Sequence, residues 1–166
     1  GELKTALQLV ELVANETTLE VGVAAFPEKH PESPDFAHDA KVLNLKQQAG
    51  ASYAITQLFF TVDAYVELVE TSKAAGATLP IVPGLMPIGN AERIVRMAQM
   101  SGAKLPVELL KKFESADEAQ ARVIGMDYSI KLATDLIAAG APGLHIYTLN
   151  LAKAAIEVAR GAGLCH

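Results

Sequence analysis

The 166-residue sequence has only one cysteine, Cys165, so no disulfide bond can form within the chain and a reducing, cytoplasmic environment is expected. It also lacks an excess of basic residues. Lys and Arg number 14 against 19 Asp and Glu, and the resulting net charge of −5 disfavours nucleic-acid binding. No apolar run approaches the roughly 20 residues that span a membrane, and no secretory leader or metal-ligand spacing is visible. Apolar residues nevertheless make up 51% of the chain, enough to fill a core.

Short, strongly apolar segments begin near residues 19, 53, 79 and 143 and alternate with amphipathic helical patterns. Segments that are apolar on both faces are typical of parallel strands covered by helices. The last interval leaves room for a further short strand at Ala103 to Leu105. Asn90 is a predicted N-cap, and Ser115 with Glu118 has the spacing of a capping box that would open the longest helix.

Repeating βα units predict either a doubly wound sheet or a (β/α)8 TIM barrel. No glycine-rich dinucleotide fingerprint follows any strand, so the barrel is favoured. A complete barrel takes about 250 residues. We therefore expect residues 1–166 to be the C-terminal portion of a single barrel domain, supplying about the last five βα units. Its open parallel edges should be covered by missing strands, by a second copy or by a rearrangement.

Barrel enzymes place their working residues at the C-terminal ends of the strands, which selects a few polar side chains here. Gln57 lies in an apolar strand, where its carboxamide either bonds a neighbouring polar group or faces a ligand. His30 lies among prolines and charged residues, where a solvent-exposed loop histidine is the commoner outcome, although imidazole is also a frequent hydrogen-bonding group in sites. Asp39 and Lys46 are two helical turns apart on one face, which a solvated charged surface also explains.

Four segments, in order, resemble the methylenetetrahydrofolate reductase family: residues 26–32, 49–60, 81–88 and 145–150. The resemblance implies a (β/α)8 barrel that binds FAD at the C-terminal ends of its strands. It also implies reduction of 5,10-methylenetetrahydrofolate to 5-methyltetrahydrofolate, with NAD(P)H as the source of the hydride.

The same resemblance assigns site residues by position. Those that match FAD-binding positions are Ala6, Phe26, His30, Asp39 and Lys46, and those that match substrate-binding positions are Gln57, Arg93, Met97 and Tyr147. Phe26 stands where the family commonly has tyrosine, Arg93 replaces a glutamine, and Met97 replaces a stacking phenylalanine. Leu151 stands where the family pattern has an arginine for the glutamate tail of folate.

The resemblance assigns no catalytic residue to this chain, because the family's general-acid glutamate and flavin-tuning aspartate would precede Gly1. The chain alone is therefore expected to have little or no reductase activity. An alternative function is a non-catalytic half-barrel that pairs with itself, as a homo-oligomer, or with a separate N-terminal half. A weaker alternative is another barrel enzyme that uses these loops for a phosphorylated substrate.

Overall fold

The computed structural model describes residues 3–165, which fold into alternating helices and short strands. In chain order the elements are α1 (Ala6–Glu16), β1 (Val21–Ala25), α2 (Phe36–Gln48), β2 (Ala51–Thr56), α3 (Val62–Ala74), β3 (Ile81–Val82), β4 (Gly84–Leu85), α4 (Ala91–Ser101), α5 (Val107–Glu114), α6 (Glu118–Ala138), β5 (His145–Ile146) and α7 (Ala152–Gly161). The predicted mixed α/β architecture is confirmed.

All of the strand pairings are parallel. β1, β2 and β3 form one sheet in that order, and β4 pairs with β5. Only Pro83 separates β3 from β4, so residues 81–85 pair first with β2 and then with β5. Pro83 has no N–H to donate, but its carbonyl accepts the N–H of His145 at 3.0 Å. The strands therefore occupy four neighbouring positions.

The prediction of a strand at Ala103 to Leu105 is wrong. Because β4 pairs directly with β5, no place for another strand is left between them. The segment instead leaves the left-handed C-cap Gly102 (φ 75°) and runs irregularly to Pro106. The N–H of Lys104 donates to Oε1 of Glu28, in the loop after β1, at 3.0 Å. Among residues 3–165 the structure thus holds four strand positions, not five βα units.

Helix caps follow the local chemistry of the sequence, with one correction. The Asn90 side chain accepts the N–H of Arg93, so the predicted cap of α4 is confirmed. The capping box predicted at Ser115 is wrong, because the box that opens α6 is formed by Asp117 and Gln120. Ser115 ends α5, and its hydroxyl donates to carbonyls in the last turn of that helix. Ser115 with Glu118 and Asp117 with Gln120 both have the spacing of a capping box, and the structure uses the pair that begins with Asp117.

Two hydrophobic clusters hold the chain together. The larger lies between the strands and the helices α2, α3, α6 and α7, and the smaller lies under α4 and α5. Tyr128 of α6 packs against both clusters, and its hydroxyl donates to the carbonyl of Phe60. Helices thus cover one face of β1 and β2. On the other face Gly22 and Ala24 are exposed, with the Tyr53 ring lying directly over Gly22.

Within residues 3–165, no helix combines the length and the apolar character needed to cross a membrane.

Candidate functional site

A cavity of about 480 Å³ lies at the C-terminal end of β1. The start of α1, the loop that follows β1 and the inner side of α2 form its walls. It contains all five residues that the resemblance assigns to FAD, which are Ala6, Phe26, His30, Asp39 and Lys46. The fold brings these residues together from three separate parts of the sequence.

The loop that carries His30 is fixed by two sets of hydrogen bonds. Lys29 has a left-handed backbone (φ 69°), an uncommon conformation for lysine. Its ammonium donates to the carbonyl of His30 at 2.9 Å and to that of Ser33 at 2.5 Å. The N–H of His30 donates to Oδ2 of Asp39 at 2.8 Å. The lysine closes the loop on itself, and the aspartate ties the loop to α2.

The imidazole of His30 is oriented by its own loop. The N–H of Glu32 donates to Nδ1 of the ring at 3.1 Å, so Nδ1 is an acceptor. The neutral ring then carries its proton on Nε2, which is left to donate to a ligand. Phe26 packs edge-to-face against this ring, with the centroids 4.6 Å apart and the planes at 86°. The aromatic contact and the backbone bond together restrict the ring orientation.

Lys46 brings a positive charge to the same cavity from the last turn of α2. Burial lowers the pKa of its ammonium, and the opposing effect of the Asp39 carboxylate is smaller. Within the described part of the chain, no carboxylate lies within ion-pairing distance of Lys46. A partly desolvated cation without a close partner is suited to an anionic group of a ligand.

Gln57 lies beside this loop, at the same edge of the sheet. It directly follows β2, and its N–H donates to the carbonyl of Ala25 at the end of β1, at 2.8 Å. The side-chain Oε1 accepts the N–H of Leu58 at 2.8 Å, whereas Nε2 has no protein partner among residues 3–165. The carboxamide is half-buried. It is held by its oxygen, and its nitrogen remains available.

Tyr147 follows β5 and lies across its neighbouring strand. Its ring covers Gly84, where a Cβ atom would come within 2.6 Å of the ring, and its hydroxyl donates to the carbonyl of Thr56 at 2.8 Å. Burial raises the pKa of this hydroxyl. The phenolic proton is therefore already donated to a backbone carbonyl of the protein. Contact of Tyr147 with a substrate stays a prediction.

A second cavity, of about 610 Å³, lies at the C-terminal ends of β4 and β5. Of the four residues assigned to substrate, only Arg93 lines it. Met97 is half-buried on α4 and packs against the smaller hydrophobic cluster. Arg122 and Lys153 also line this cavity, and the sequence pattern did not identify them. They belong to no motif, and only the packing of α6 and α7 brings them to Arg93.

No group of three or more His, Cys, Asp or Glu side chains within residues 3–165 could hold a metal ion. The titratable side chains that line the first cavity are two imidazoles, two ammonium groups and two carboxylates, set among apolar residues: His30, His38, Lys4, Lys46, Glu32 and Asp39. Such a set is suited to binding an anionic molecule that carries flat rings.

The family model for methylenetetrahydrofolate reductase matches residues 1–163. Among curated proteins, "Methylenetetrahydrofolate reductase 1" of Schizosaccharomyces pombe is 35% identical over 146 residues, which are 87% of this chain and 24% of that protein. The "5,10-methylenetetrahydrofolate reductase" of Buchnera aphidicola from Schizaphis graminum is 32% identical over 96% of this chain and 55% of its own length. The Escherichia coli protein of the same name is 31% identical over 96% of this chain and 54% of its own length. The chain thus spans about half the length of these bacterial relatives.

A solved structure has a similar fold. It is described as "Uncharacterized protein from Clostridium thermocellum binds two copies of 5-methyl-5,6,7,8-tetrahydrofolic acid". The TM-score is 0.71 at 17% sequence identity, covering 98% of this chain and 61% of that one. At this identity the likeness concerns the fold alone.

Proposed function

The chain belongs to the methylenetetrahydrofolate reductase family, and from that membership we propose that it supplies the FAD- and folate-binding side of a (β/α)8 barrel. The proposed reaction reduces 5,10-methylenetetrahydrofolate to 5-methyltetrahydrofolate with NAD(P)H. The observation that carries the proposal is the first cavity, in which five residues from distant parts of the sequence meet at the C-terminal end of one strand. Parallel strands with helices on one face support the barrel.

The residues of the first cavity suit FAD. Its volume of about 480 Å³ lies in the usual range for cofactor clefts. Ala24 and Phe26 offer apolar surface to a ring system, and Nε2 of His30 offers a directed donor. Lys46 offers a positive charge for a diphosphate. When bound there, FAD would accept a hydride from the nicotinamide and pass it to the folate.

Gln57 would hold the pterin. A pterin edge presents alternating donors and acceptors, which a carboxamide can match. Because Gln57 Oε1 already accepts the N–H of Leu58, the carboxamide is pre-oriented and Nε2 is left to donate. The N–H of Gln57 bonds the carbonyl of Ala25 at the end of β1, so a pterin held by Gln57 would lie beside a flavin in the first cavity, as hydride transfer requires.

We assign no residue of this chain to protonation of the folate nitrogen. The carboxylates of the first cavity, Glu32 and Asp39, lie on the side of the His30 loop and α2, and Asp39 is bonded to the His30 backbone. The chain is therefore expected to bind flavin and folate but to turn over slowly by itself.

The alternative, a non-catalytic half-barrel that pairs with a second copy or with a separate half, is favoured by one observation. Gly22 and Ala24 of β1 are exposed on the face of the sheet opposite the helices. A colourless protein that is a stable dimer would support this alternative.

The test is flavin binding by the purified chain, followed by quenching of FAD fluorescence and by absorbance near 450 nm. We expect saturable binding that weakens about tenfold in Lys46→Gln, since one charge-assisted contact is lost. Lys41→Gln is the matched control, because Lys41 is an exposed lysine of the same helix that does not line the cavity. Absence of saturable FAD binding, or equal weakening by both substitutions, would overturn the proposal.

A further inference from the structure

The loop after β1 is joined to a distant part of the chain by the side chain of Glu28. Oε1 of Glu28 accepts the N–H of Lys104 at 3.0 Å, across 76 positions of the sequence. Lys104 lies in the irregular linker between α4 and α5. Among residues 3–165, this is the one hydrogen bond between the His30 loop, residues 26–35, and residues 91–114. The bond therefore ties the wall of the first cavity to α4 and α5.

Glu28 is presented by a tight turn of the His30 loop. The N–H of Lys29 donates to the carbonyl of Phe26 at 3.3 Å, with Pro27 and Glu28 between them. Proline fixes φ at the first of the two central positions of such a turn, and Pro27 is also buried. The two bonds of the Lys29 ammonium and the tie to α2 hold the remainder of the loop. A ligand that holds His30 therefore also restrains Glu28.

The cover segment, residues 91–114, comprises α4, the linker and α5 and lies over the chain that leaves β2. Its buried side chains share the smaller hydrophobic cluster with Leu58 and Phe60, which follow β2. In the linker, Ala103 is buried in the same cluster. Leu58 also donates its N–H to Oε1 of Gln57. The cover segment thus belongs to the same cluster as the residue that orients the Gln57 carboxamide.

The bond between Glu28 and Lys104 is strong enough to hold the cover segment and exposed enough to open. A carboxylate that accepts a backbone N–H forms a charge-assisted hydrogen bond. Glu28 is half-buried and Lys104 is exposed, so water competes for both partners. Residues 103–106 belong to no helix or strand, and the left-handed Gly102 (φ 75°) begins this irregular stretch. Restraint of the His30 loop can therefore shift the balance between the open and the closed bond.

We propose that Glu28 is a positioning residue that couples flavin binding in the first cavity to the placement of the cover segment beside Gln57. This inference rests on the proposed function. When His30 donates from Nε2 to bound FAD, the loop is restrained and the Glu28 carboxylate stays where the N–H of Lys104 meets it. The closed bond then holds the cover segment over the pterin side of the site. Because coupling between two sites is reciprocal, a pteridine bound there should strengthen FAD binding by the same factor.

The experiment measures hydrogen exchange of the Lys104 amide by NMR, in the full chain with and without saturating FAD. Since this amide has its acceptor on Glu28, we expect FAD to slow its exchange at least about threefold. Glu28→Ala should abolish that effect of FAD, and Glu28→Gln, which keeps an oxygen acceptor, should retain part of it. Lys104→Ala is the matched control, because it removes the charge and keeps the backbone N–H. A bond with a structural role alone would protect the amide equally with and without FAD.

A second measurement follows the same coupling in binding, with 5-methyltetrahydrofolate as the probe. The factor by which FAD strengthens its binding should fall about three- to fivefold in Glu28→Ala, the effect of one hydrogen bond, and stay unchanged in Lys104→Ala. If FAD binds but leaves exchange of the Lys104 amide unaltered, the coupling is overturned while the flavin site stands. An FAD effect of the same size in Glu28→Ala and in the unaltered chain would overturn it equally. If a fluorescence titration finds no FAD binding, the proposed function fails and this inference fails with it.

Discussion

The Asp39 carboxylate accepts the backbone N–H of His30 at 2.8 Å, and this bond joins the loop after β1 to the first turn of α2. Replacing Asp39 by alanine leaves that part-buried N–H without its acceptor, which should lower the free energy of unfolding by about 1–2 kcal/mol. Asp39→Asn keeps an oxygen acceptor and should cost less than half as much. Urea denaturation followed by circular dichroism compares the two variants. Equal losses of stability in the two variants would mean that the negative charge of Asp39, and not its hydrogen bond to the His30 backbone, stabilises the fold.

Lys46 should make stability depend on pH in a definite direction. Burial lowers its pKa in the folded chain below the ordinary 10.5, with Asp39 opposing that effect. Between the lowered pKa and 10.5 the unfolded chain binds more protons, so the free energy of unfolding rises with pH across that window. Lys46→Met, which has no charge to desolvate, should therefore be more stable than the unaltered chain at pH 7.

The advantage of Lys46→Met should shrink as pH approaches 10.5, measured as the difference in free energy of unfolding at each pH. Burial also raises the pKa of three tyrosine hydroxyls, those of Tyr65, Tyr128 and Tyr147. Because these tyrosines are present in both proteins, their contributions cancel in the difference in free energy of unfolding. An advantage that is constant or grows with pH would contradict the explanation. The same substitution should weaken FAD binding, so stability and binding change in opposite directions.

Thr56 completes the hydrogen bonding of the interrupted strand. Its buried hydroxyl accepts the N–H of Gly84 at 2.8 Å, and its carbonyl accepts the hydroxyl of Tyr147. Thr56→Val preserves the shape but leaves the Gly84 N–H unsatisfied, so we expect a loss of about 1–3 kcal/mol in the free energy of unfolding. Thr56→Ser keeps the hydroxyl and should lose no more than about 1 kcal/mol, the value of one buried methyl group. A thermal melt of both variants that ranks serine below valine would refute this role.

Gly125 lets α6 approach the segment after β4. A Cβ atom at this position would lie 2.2 Å from the carbonyl oxygen of Ile88. Alanine normally gains about 1 kcal/mol over glycine in a helix, but here Gly125→Ala should lose about 1–3 kcal/mol because the backbones must separate. Gly161→Ala is the comparison, since its Cβ would meet side-chain atoms of Ile130 rather than a backbone carbonyl, and it should lose less stability than Gly125→Ala. Chemical denaturation that finds Gly125→Ala as stable as the unaltered chain would disprove the close approach.

Local patterns in the sequence predict the elements of this fold well, because they depend on neighbouring residues. The apolar segments become strands, and Asn90 caps α4 as its position predicts. The errors arise where two local solutions compete. Ser115 and Asp117 both have capping-box spacing, and the hydroxyl of Ser115 bonds backward to α5 instead. The extra strand near residue 103 fails because sheet order is a long-range property.

The residues of the candidate site also divide into those that the local sequence predicts and those that depend on long-range packing. His30 is identified because it lies in the loop after the first apolar strand, and Gln57 because it is the polar residue of the second apolar segment. The ends of parallel strands meet at one edge. Lys153 and Arg122 give no such signal, because they come to the second cavity through helix packing alone. The tie between Asp39 and the His30 backbone is likewise invisible in sequence, since it depends on the path of one loop.

The pairing partner of the sheet changes at Pro83, from β2 to β5. Backbone bonds join β1, β2 and β3, whereas the strand pairing of β5 is with the two residues of β4 alone. A side-chain bond from Tyr147 to the Thr56 carbonyl and a backbone bond from His145 to Pro83 are its other ties to the sheet. Opening of β5 with α7 would break few ladder bonds and leave the first three strands intact, so hydrogen exchange should be faster for the amides of residues 145–147 than for those of β2. Such a local opening would leave the first cavity, with His30, in place and would open the second cavity. The rate at which β5 and α7 close again would then limit the association of a ligand with the second cavity.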